Sequence, residues 1–290
     1  MTSKSDGSVV FAPNHPGASW AALNQAERDA AYNNAAAVSD SLEVNRARNV
    51  ASKAYRDAQP GLKECSYGQR PRERYDLYPA ADPNAWCLVF FHGGYWQMNS
   101  REDFACVAEG LASHGWSAAL PGYTLAPEAS LKQIADEVFA SLDWLAKNGE
   151  SVGIGPNIIV SGWSAGAQLA TLALGHPAVK GGIAISGVYE LAPLRDTYLN
   201  GKLALNDQEI EALSPCRTQV TDKPLVVAYG TAELPAMVED ARALHAHRSS
   251  AHAPGALLPI PRANHYTTLD QLRRPDGVLT RAALEMASGL

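Results

Sequence analysis

Seven short apolar runs, separated by segments of helical character, dominate the chain from residue 74 onward. RYDLYPA (74–80) alternates like a half-buried strand. CLVFFHGG (87–94) is continuously apolar and ends in glycines, as a strand buried on both faces does. SAALPGY (117–123), NIIVSG (157–162), GGIAISGV (181–188), PLVVAYG (224–230) and ALLPIP (256–261) repeat the pattern. Between them, REDFACVAEGLASHG, LKQIADEVFASLDWLAKNG, AGAQLATLALG, AMVEDARALHAHR and TTLDQLRRPDGVLTRAALEMA read as helices. Strands alternating with helices of ten or more residues predict an α/β fold, a mostly parallel sheet covered on both faces. With 290 residues, 46% of them hydrophobic and 19% charged, the chain can bury such a core without a metal or disulfide staple.

Two stretches stand outside this alternation. Residues 1–18 are polar and contain Gly and Pro, which predicts a mobile tail. LNQAERDAAYNN and LEVNRARNVASKAYRDA then read as helices, the second with a thin apolar stripe, before Pro60-Gly61 breaks the chain. Residues 1–60 are therefore expected to be a tail and helical extension packed on a main domain of residues 61–290, with no chemistry of their own. Residues 190–222 separate two strand candidates with short mixed helical pieces. They predict a small cap insertion beside the carboxyl ends of the strands, where it could roof a site.

Composition removes several function classes. Lys and Arg number 24 against 30 Asp and Glu, a formal charge of −6, which disfavours a nucleic-acid partner. No apolar stretch approaches the roughly 20 residues that cross a bilayer, and MTSKSDGSVVFAPNHPG lacks the apolar core of a signal peptide. A cytoplasmic protein without a membrane partner is expected. Cys65, Cys87, Cys106 and Cys216 form no C-x-x-C pair, which argues against a structural metal or a dithiol redox site. Cys87 reads as a small core hydrophobe. A homodimer is compatible with the sequence and not required by it.

Gly162-Trp163-Ser164-Ala165-Gly166 is a G-x-S-x-G at the junction of a strand and a helix. Glycines there permit a sharp turn that exposes the hydroxyl, and the following helix aims its first N–H groups at developing negative charge. A serine N-cap in a Gly-rich turn would look the same in isolation. His92-Gly93-Gly94-Tyr95-Trp96 follows CLVFF directly, and its glycines allow backbone N–H groups to turn into a cavity. Joined by the N–H of Ala165, they would make an oxyanion hole. His92 and Gly93 read as structural residues holding this loop.

A serine nucleophile needs a base. Among the downstream histidines, His245 and His247 lie in a charged helical segment and His252 in a polar turn, whereas His265 follows ALLPIP in the loop RANHY. A loop at a strand's carboxyl end is where a base reaches Ser164. The orienting carboxylate is expected just beyond the preceding strand, where PLVVAYG is followed by Thr231-Ala232-Glu233. Glu239 and Asp240 are rivals, but they fall within the next helix, where a solvated face explains them.

The order Ser164, Glu233, His265, with the elbow and the HGG loop, resembles the α/β-hydrolases. More narrowly, HGGYW, GWSAGAQLA, ISGVYELAPL, LALND…LSP and the NHY loop resemble the arylformamidase (kynurenine formamidase) group and its esterase relatives, as do the N-terminal YNN and YGQRPRERYDLYP. The similarity runs from about Tyr32 to His265. It implies an α/β-hydrolase fold, Ser164 as nucleophile, His265 as base, and Gly94, Tyr95 and Ala165 as oxyanion donors. Glu233 stands where many members carry Asp.

The expected activity is a serine hydrolase that cleaves a small aryl amide or ester through an acyl-serine, with no cofactor and no metal. A broad carboxylesterase is the alternative, and a non-catalytic binding protein on the same scaffold is a third reading. Trp96, Trp163, Tyr95, Tyr123, Tyr189 and Tyr266 neighbour the expected site in sequence. Of these, Tyr95 and Trp96 are the candidates for contact with an aromatic substrate; Tyr123 and Trp163 read as core.

Overall fold

The computed structural model describes residues 20–290. The expected N-terminal tail, 1–18, lies outside the described residues. One eight-stranded sheet runs in the order β1-β2-β4-β3-β5-β6-β7-β8. Its strands are β1 (Lys63–Ser66), β2 (Arg74–Tyr78), β3 (Cys87–Phe91), β4 (Ser117–Pro121), β5 (Ile158–Trp163), β6 (Val179–Ile185), β7 (Leu225–Gly230) and β8 (Gly255–Ile260). β2 pairs antiparallel with β1 and β4, and every other pairing is parallel. The mostly parallel sheet expected from the apolar runs is therefore present. β1 was not foreseen: KECS is short, polar and at the sheet edge, where apolar periodicity is absent.

Side-chain alternation explains why the central runs are apolar throughout. Cys87, Val89 and Phe91 of β3 enter one core with Val160 of β5, while Leu88 and Phe90 enter the other with Ile159, Ile183 and Ile185. The first core is closed by α5 (Leu131–Val152), α6 (Ala165–Ala173) and α9 (Pro235–Ser250), the second by a 3-10 segment at Arg101–Ala108, α10 (Asp270–Arg273) and α11 (Val278–Ser288). The stretch read as one helix from REDFACVAEGLASHG is mostly this 3-10 segment, with only α4 (Glu109–Ala112) becoming α-helical. The last predicted helix is divided between α10 and α11, as Pro275 and Gly277 between them require.

The N-terminal extension forms α1 (Gln25–Ala31), α2 (Asn34–Ala37) and α3 (Ser41–Asp57). α3 docks through polar groups, which accounts for its thin apolar stripe. Arg48 Nε and Ser52 Oγ both donate to the Asp103 carbonyl, and the Arg48 guanidinium lies 4.1 Å from the Phe104 ring. Arg56 of α3 and Arg101 clasp Asp76, fully buried in β2, with Arg101 Nε 2.9 Å from Asp76 Oδ1. Arg101 also meets Glu64 and Glu102, so this acidic cluster is neutralised by guanidinium groups.

Residues 190–222 carry a 3-10 turn (Ala192–Asp196), α7 (Asn200–Leu203) and α8 (Asp207–Leu213). Gln97 Nε2 donates to the Leu199 carbonyl and Gln168 Nε2 to that of Leu213, which places the segment against both the HGG loop and α6. From the other side, Trp20 Nε1 and Gln25 Nε2 bind Asp196. Among the described residues, no helix is long and apolar enough to cross a membrane.

Candidate active site

The strand register sets the site. Phe91 pairs with Gly162, Trp163 with Ile185, and Gly230 with Ile260, so β3, β5, β7 and β8 release their loops at one edge of the sheet. The segments after these strands hold the HGG loop, Ser164, Glu233 and His265.

Ser164 sits between β5 and α6 with φ 57 and ψ −122, outside the regions an L-residue favours. Such a conformation costs about 1–3 kcal/mol and persists only where its surroundings enforce it. Both motif glycines are needed for it: a Cβ on Gly162 would lie 2.0 Å from the Gly166 carbonyl oxygen, and one on Gly166 2.0 Å from that of Phe91. The Ser164 N–H donates to the Ile185 carbonyl at 2.9 Å, pinning the turn to β6.

A continuous row of hydrogen bonds leads from the hydroxyl. His265 Nε2 is 3.1 Å from Ser164 Oγ, and His265 Nδ1 is 2.9 Å from Glu233 Oε2. Glu233 Oε1 accepts from Ser186 Oγ at 2.7 Å and from the Gly230 N–H at 2.5 Å. With the carboxylate saturated by those donors, Nδ1 of a neutral His265 carries its proton toward Glu233, and Nε2 presents a lone pair to Ser164. The backbone of His265 is held as well: Trp163 Nε1 donates to its carbonyl at 2.7 Å and Thr268 Oγ1 at 2.9 Å. Ser164 and His265 are buried, and the Glu233 side chain has no exposed surface.

The HGG loop lies against the elbow. A Cβ on Gly93 would stand 3.0 Å from Ser164 Cβ. Gly94, Tyr95 and Trp96 have φ of 121, 49 and 58. Among the described residues, the N–H groups of Gly94 and Tyr95 find no acceptor, and Ala165, first residue of α6, has no intrahelical acceptor for its own. Free amides beside a nucleophile can stabilise a tetrahedral oxyanion.

His92 lies beneath this loop, its Nδ1 donating to the Gly93 carbonyl at 2.9 Å and its ring stacked on Tyr123 at 4.2 Å. Burial pushes its pKa down to about 3, so it is neutral and holds the loop. Tyr95 and Trp96 differ from the expectation that both face substrate. Trp96 has no exposed surface and donates its indole N–H to Gln168 Oε1 at 3.2 Å; it is a core residue. The Tyr95 hydroxyl is engaged by Tyr32 and Asn34. Tyr266, half-buried beside His265 with ring centroids 5.6 Å apart, is the aromatic left at the surface of the site.

The helical setting suggested a solvated face, yet Asp240 is fully buried in α9. Its Oδ2 accepts from the Tyr189 N–H at 3.0 Å, and its Oδ1 has no partner among the described residues. Glu239 is exposed beside Arg242. Ser186, Trp163 and Thr268 support the row, and nothing in their local sequence marks which distant group they meet.

Burial holds the Asp240 carboxyl well above the usual range, and this has a measurable consequence. A raised folded-state pKa favours the neutral form, so the group does not oppose folding below the unfolded value of about 3.9. It opposes folding increasingly as pH climbs from there toward the folded value. Asp240→Asn should therefore melt above wild type at pH 7–8, with the difference shrinking toward pH 4. A difference in Tm that is constant across this range would contradict the assignment.

Residues 88–221 match a family model described as the α/β-hydrolase fold. The chain is similar to kynurenine formamidase of Danio rerio, 25% identical over 241 residues covering 78% of this chain and 81% of the relative. It is also similar to kynurenine formamidase of Drosophila melanogaster, 31% identical over 147 residues covering 47% and 49%. Among solved structures, one from Silicibacter sp. TM1040, whose proposed identity is a thioesterase, superposes with a TM-score of 0.80 at 26% identity. It covers 88% of this chain and 98% of that one. The esterase of the archaeon Pyrobaculum calidifontis shares the fold, with a TM-score of 0.71 at 18% identity over 85% and 92%.

Proposed function

Since the chain is an α/β-hydrolase of the arylformamidase-like and esterase group, a hydrolase of amides or esters, we propose that it cleaves small N-acyl aryl amines through an acyl-serine. The observation that carries this reading is the row Ser164–His265–Glu233 beside unengaged backbone amides. As Ser164 Oγ attacks the carbonyl carbon, His265 Nε2 takes its proton, and Glu233 stabilises the imidazolium and fixes the ring. The N–H groups of Gly94, Tyr95 and Ala165 hold the oxyanion. His265 then protonates the departing aryl amine, and water attacks the acyl-serine by the reverse route.

An aryl amide is preferred because the formamidase relatives match along most of their length. Tyr266 supplies one aromatic wall. Tyr198, half-exposed on the 190–222 segment, lies within electrostatic reach of both Tyr266 and the Tyr95 hydroxyl, which supports that segment as the roof of the site. Ser164, His265 and Glu233 meet within one chain, so a homodimer would carry one complete triad per subunit. The four unpaired cysteines suit a reducing cytoplasm.

Comparing kcat/KM on N-formylkynurenine, other N-acyl aryl amines and 4-nitrophenyl acetate tests the substrate class. We expect turnover of the formyl amides. Activity confined to the activated ester would instead identify a broad carboxylesterase. Wild type that a fluorophosphonate probe fails to label would point to a binding protein.

A further inference from the structure

We propose that Asn34 and the Tyr32 carbonyl, in the N-terminal extension, are positioning groups for the oxyanion hole and act through the hydroxyl of Tyr95. This rests on the reading that the Tyr95 N–H faces the oxyanion. The Tyr95 hydroxyl donates to the Tyr32 carbonyl at 2.6 Å and accepts from Asn34 Nδ2 at 3.0 Å. Both contacts are buried.

The loop has reason to need them. Tyr95 and Trp96 are consecutive L-residues at positive φ, a backbone that costs roughly 1–2 kcal/mol per residue relative to the right-handed alternative. Rotation of the Gly94–Tyr95 peptide would relieve that strain and turn the amide away from Ser164. The residues on either side are held by the main domain. The Gly94 carbonyl accepts from the N–H groups of Gln97 and Met98, the Trp96 carbonyl from that of Ala126, and the Trp96 indole is fixed by Gln168. The hydrogen bonds that fix Tyr95 come from the N-terminal segment instead.

That segment is shaped for the task. Tyr32 caps the end of α1, and the Asn33 side chain caps α2, so the chain turns at the point where the Tyr32 carbonyl is presented. Asn34 is buried, yet its Oδ1 has no partner among the described residues. An unpaired buried carbonyl carries a penalty, and its retention makes sense if the residue is kept for the Nδ2 donor it gives Tyr95. α1 is in turn tied to the 190–222 segment, with the Tyr198 N–H donating to Asp29 Oδ1 at 2.7 Å. Oxyanion loop, extension and cap insertion are thus linked through residues 29–34. The extension, expected from sequence to lack chemistry of its own, reaches the reaction at second hand.

The test compares wild type with Tyr95→Phe, Asn34→Ala and the double variant. It measures kcat, KM and the affinity of an aryl trifluoromethyl ketone, which adds reversibly to the serine and places an oxyanion in the hole. We expect Tyr95→Phe to lower kcat about tenfold with KM within about twofold, and to weaken the ketone in the same proportion. The double variant should equal Tyr95→Phe, because both changes act through one hydroxyl. If Tyr95→Phe does not fold, Asn34→Ala, which removes one of the hydroxyl's two contacts and leaves the other, should lower kcat and ketone affinity together by a smaller factor.

Folded variants with wild-type kcat and ketone affinity would overturn the proposal, as would multiplicative effects in the double variant. Losses confined to KM or Tm would do the same. Failure of the underlying reading looks different: wild type would not bind the ketone, or Ser164→Ala would retain turnover. Ketone binding that is lost in Ser164→Ala but intact in Tyr95→Phe would defeat the positioning role alone.

Discussion

Ser164→Ala should lower kcat by about 10⁶-fold, to the residual rate that binding and the oxyanion donors supply alone, with little change in KM or Tm. The change is chemically large and structurally small. Ser164 is buried, keeps its Cβ on replacement, and holds its strained turn through backbone contacts to Ile185 and through the close approach of Gly162 and Gly166. None of those contacts uses the hydroxyl. The hydroxyl is instead hydrogen-bonded to His265 Nε2. The measurements are steady-state turnover and labelling by a fluorophosphonate. Wild type should be labelled stoichiometrically and the variant not at all. A variant that still turns over at more than about a thousandth of the wild-type rate would mean that another nucleophile, or water activated directly by His265, performs the cleavage.

Much of this site was legible because its parts occupy fixed places relative to strands. The elbow, the HGG loop and the loops of Glu233 and His265 all follow apolar runs. Parallel strands release such loops at one edge, so a pattern of runs already brings distant residues together. What was not legible depends on lateral packing. Asp240 and Glu239 adjoin in one helix, and only the fold decides that the first is buried against Tyr189 while the second meets solvent. Trp96 and Tyr266 are both aromatic and both near the motifs, yet Trp96 turns into the core to reach Gln168 and Tyr266 stays at the surface. The same limit hid the link from Asn34 to Tyr95, sixty-one residues apart. The polar docking of α3 escaped for another reason: helix periodicity counts apolar faces, and this helix binds through Arg48 and Ser52.

Glu233→Gln should lower kcat by about 10⁴-fold at pH 7–8 while leaving the fold intact, and Asp240→Asn should change it by less than about threefold. The difference follows from what each carboxylate touches. Glu233 Oε1 accepts two donors, Ser186 Oγ and the Gly230 N–H, and Oε2 accepts the His265 Nδ1 proton. Glutamine offers one oxygen and one NH₂ group. If its NH₂ took the Oε1 position it would oppose the Gly230 N–H at 2.5 Å, donor against donor. The oxygen therefore stays there and the NH₂ turns to His265, which must answer with an unprotonated Nδ1. The ring proton then moves to Nε2 and points at Ser164 Oγ, so the imidazole can no longer accept the serine proton. Asparagine at 240 can still accept from the Tyr189 N–H through its oxygen, and Asp240 makes no contact with His265. Rates on a formyl aryl amide, with Tm as a check on folding, measure both. If Asp240→Asn proved the more damaging change, the orienting carboxylate would lie in α9 and the row from Ser164 would have to be redrawn.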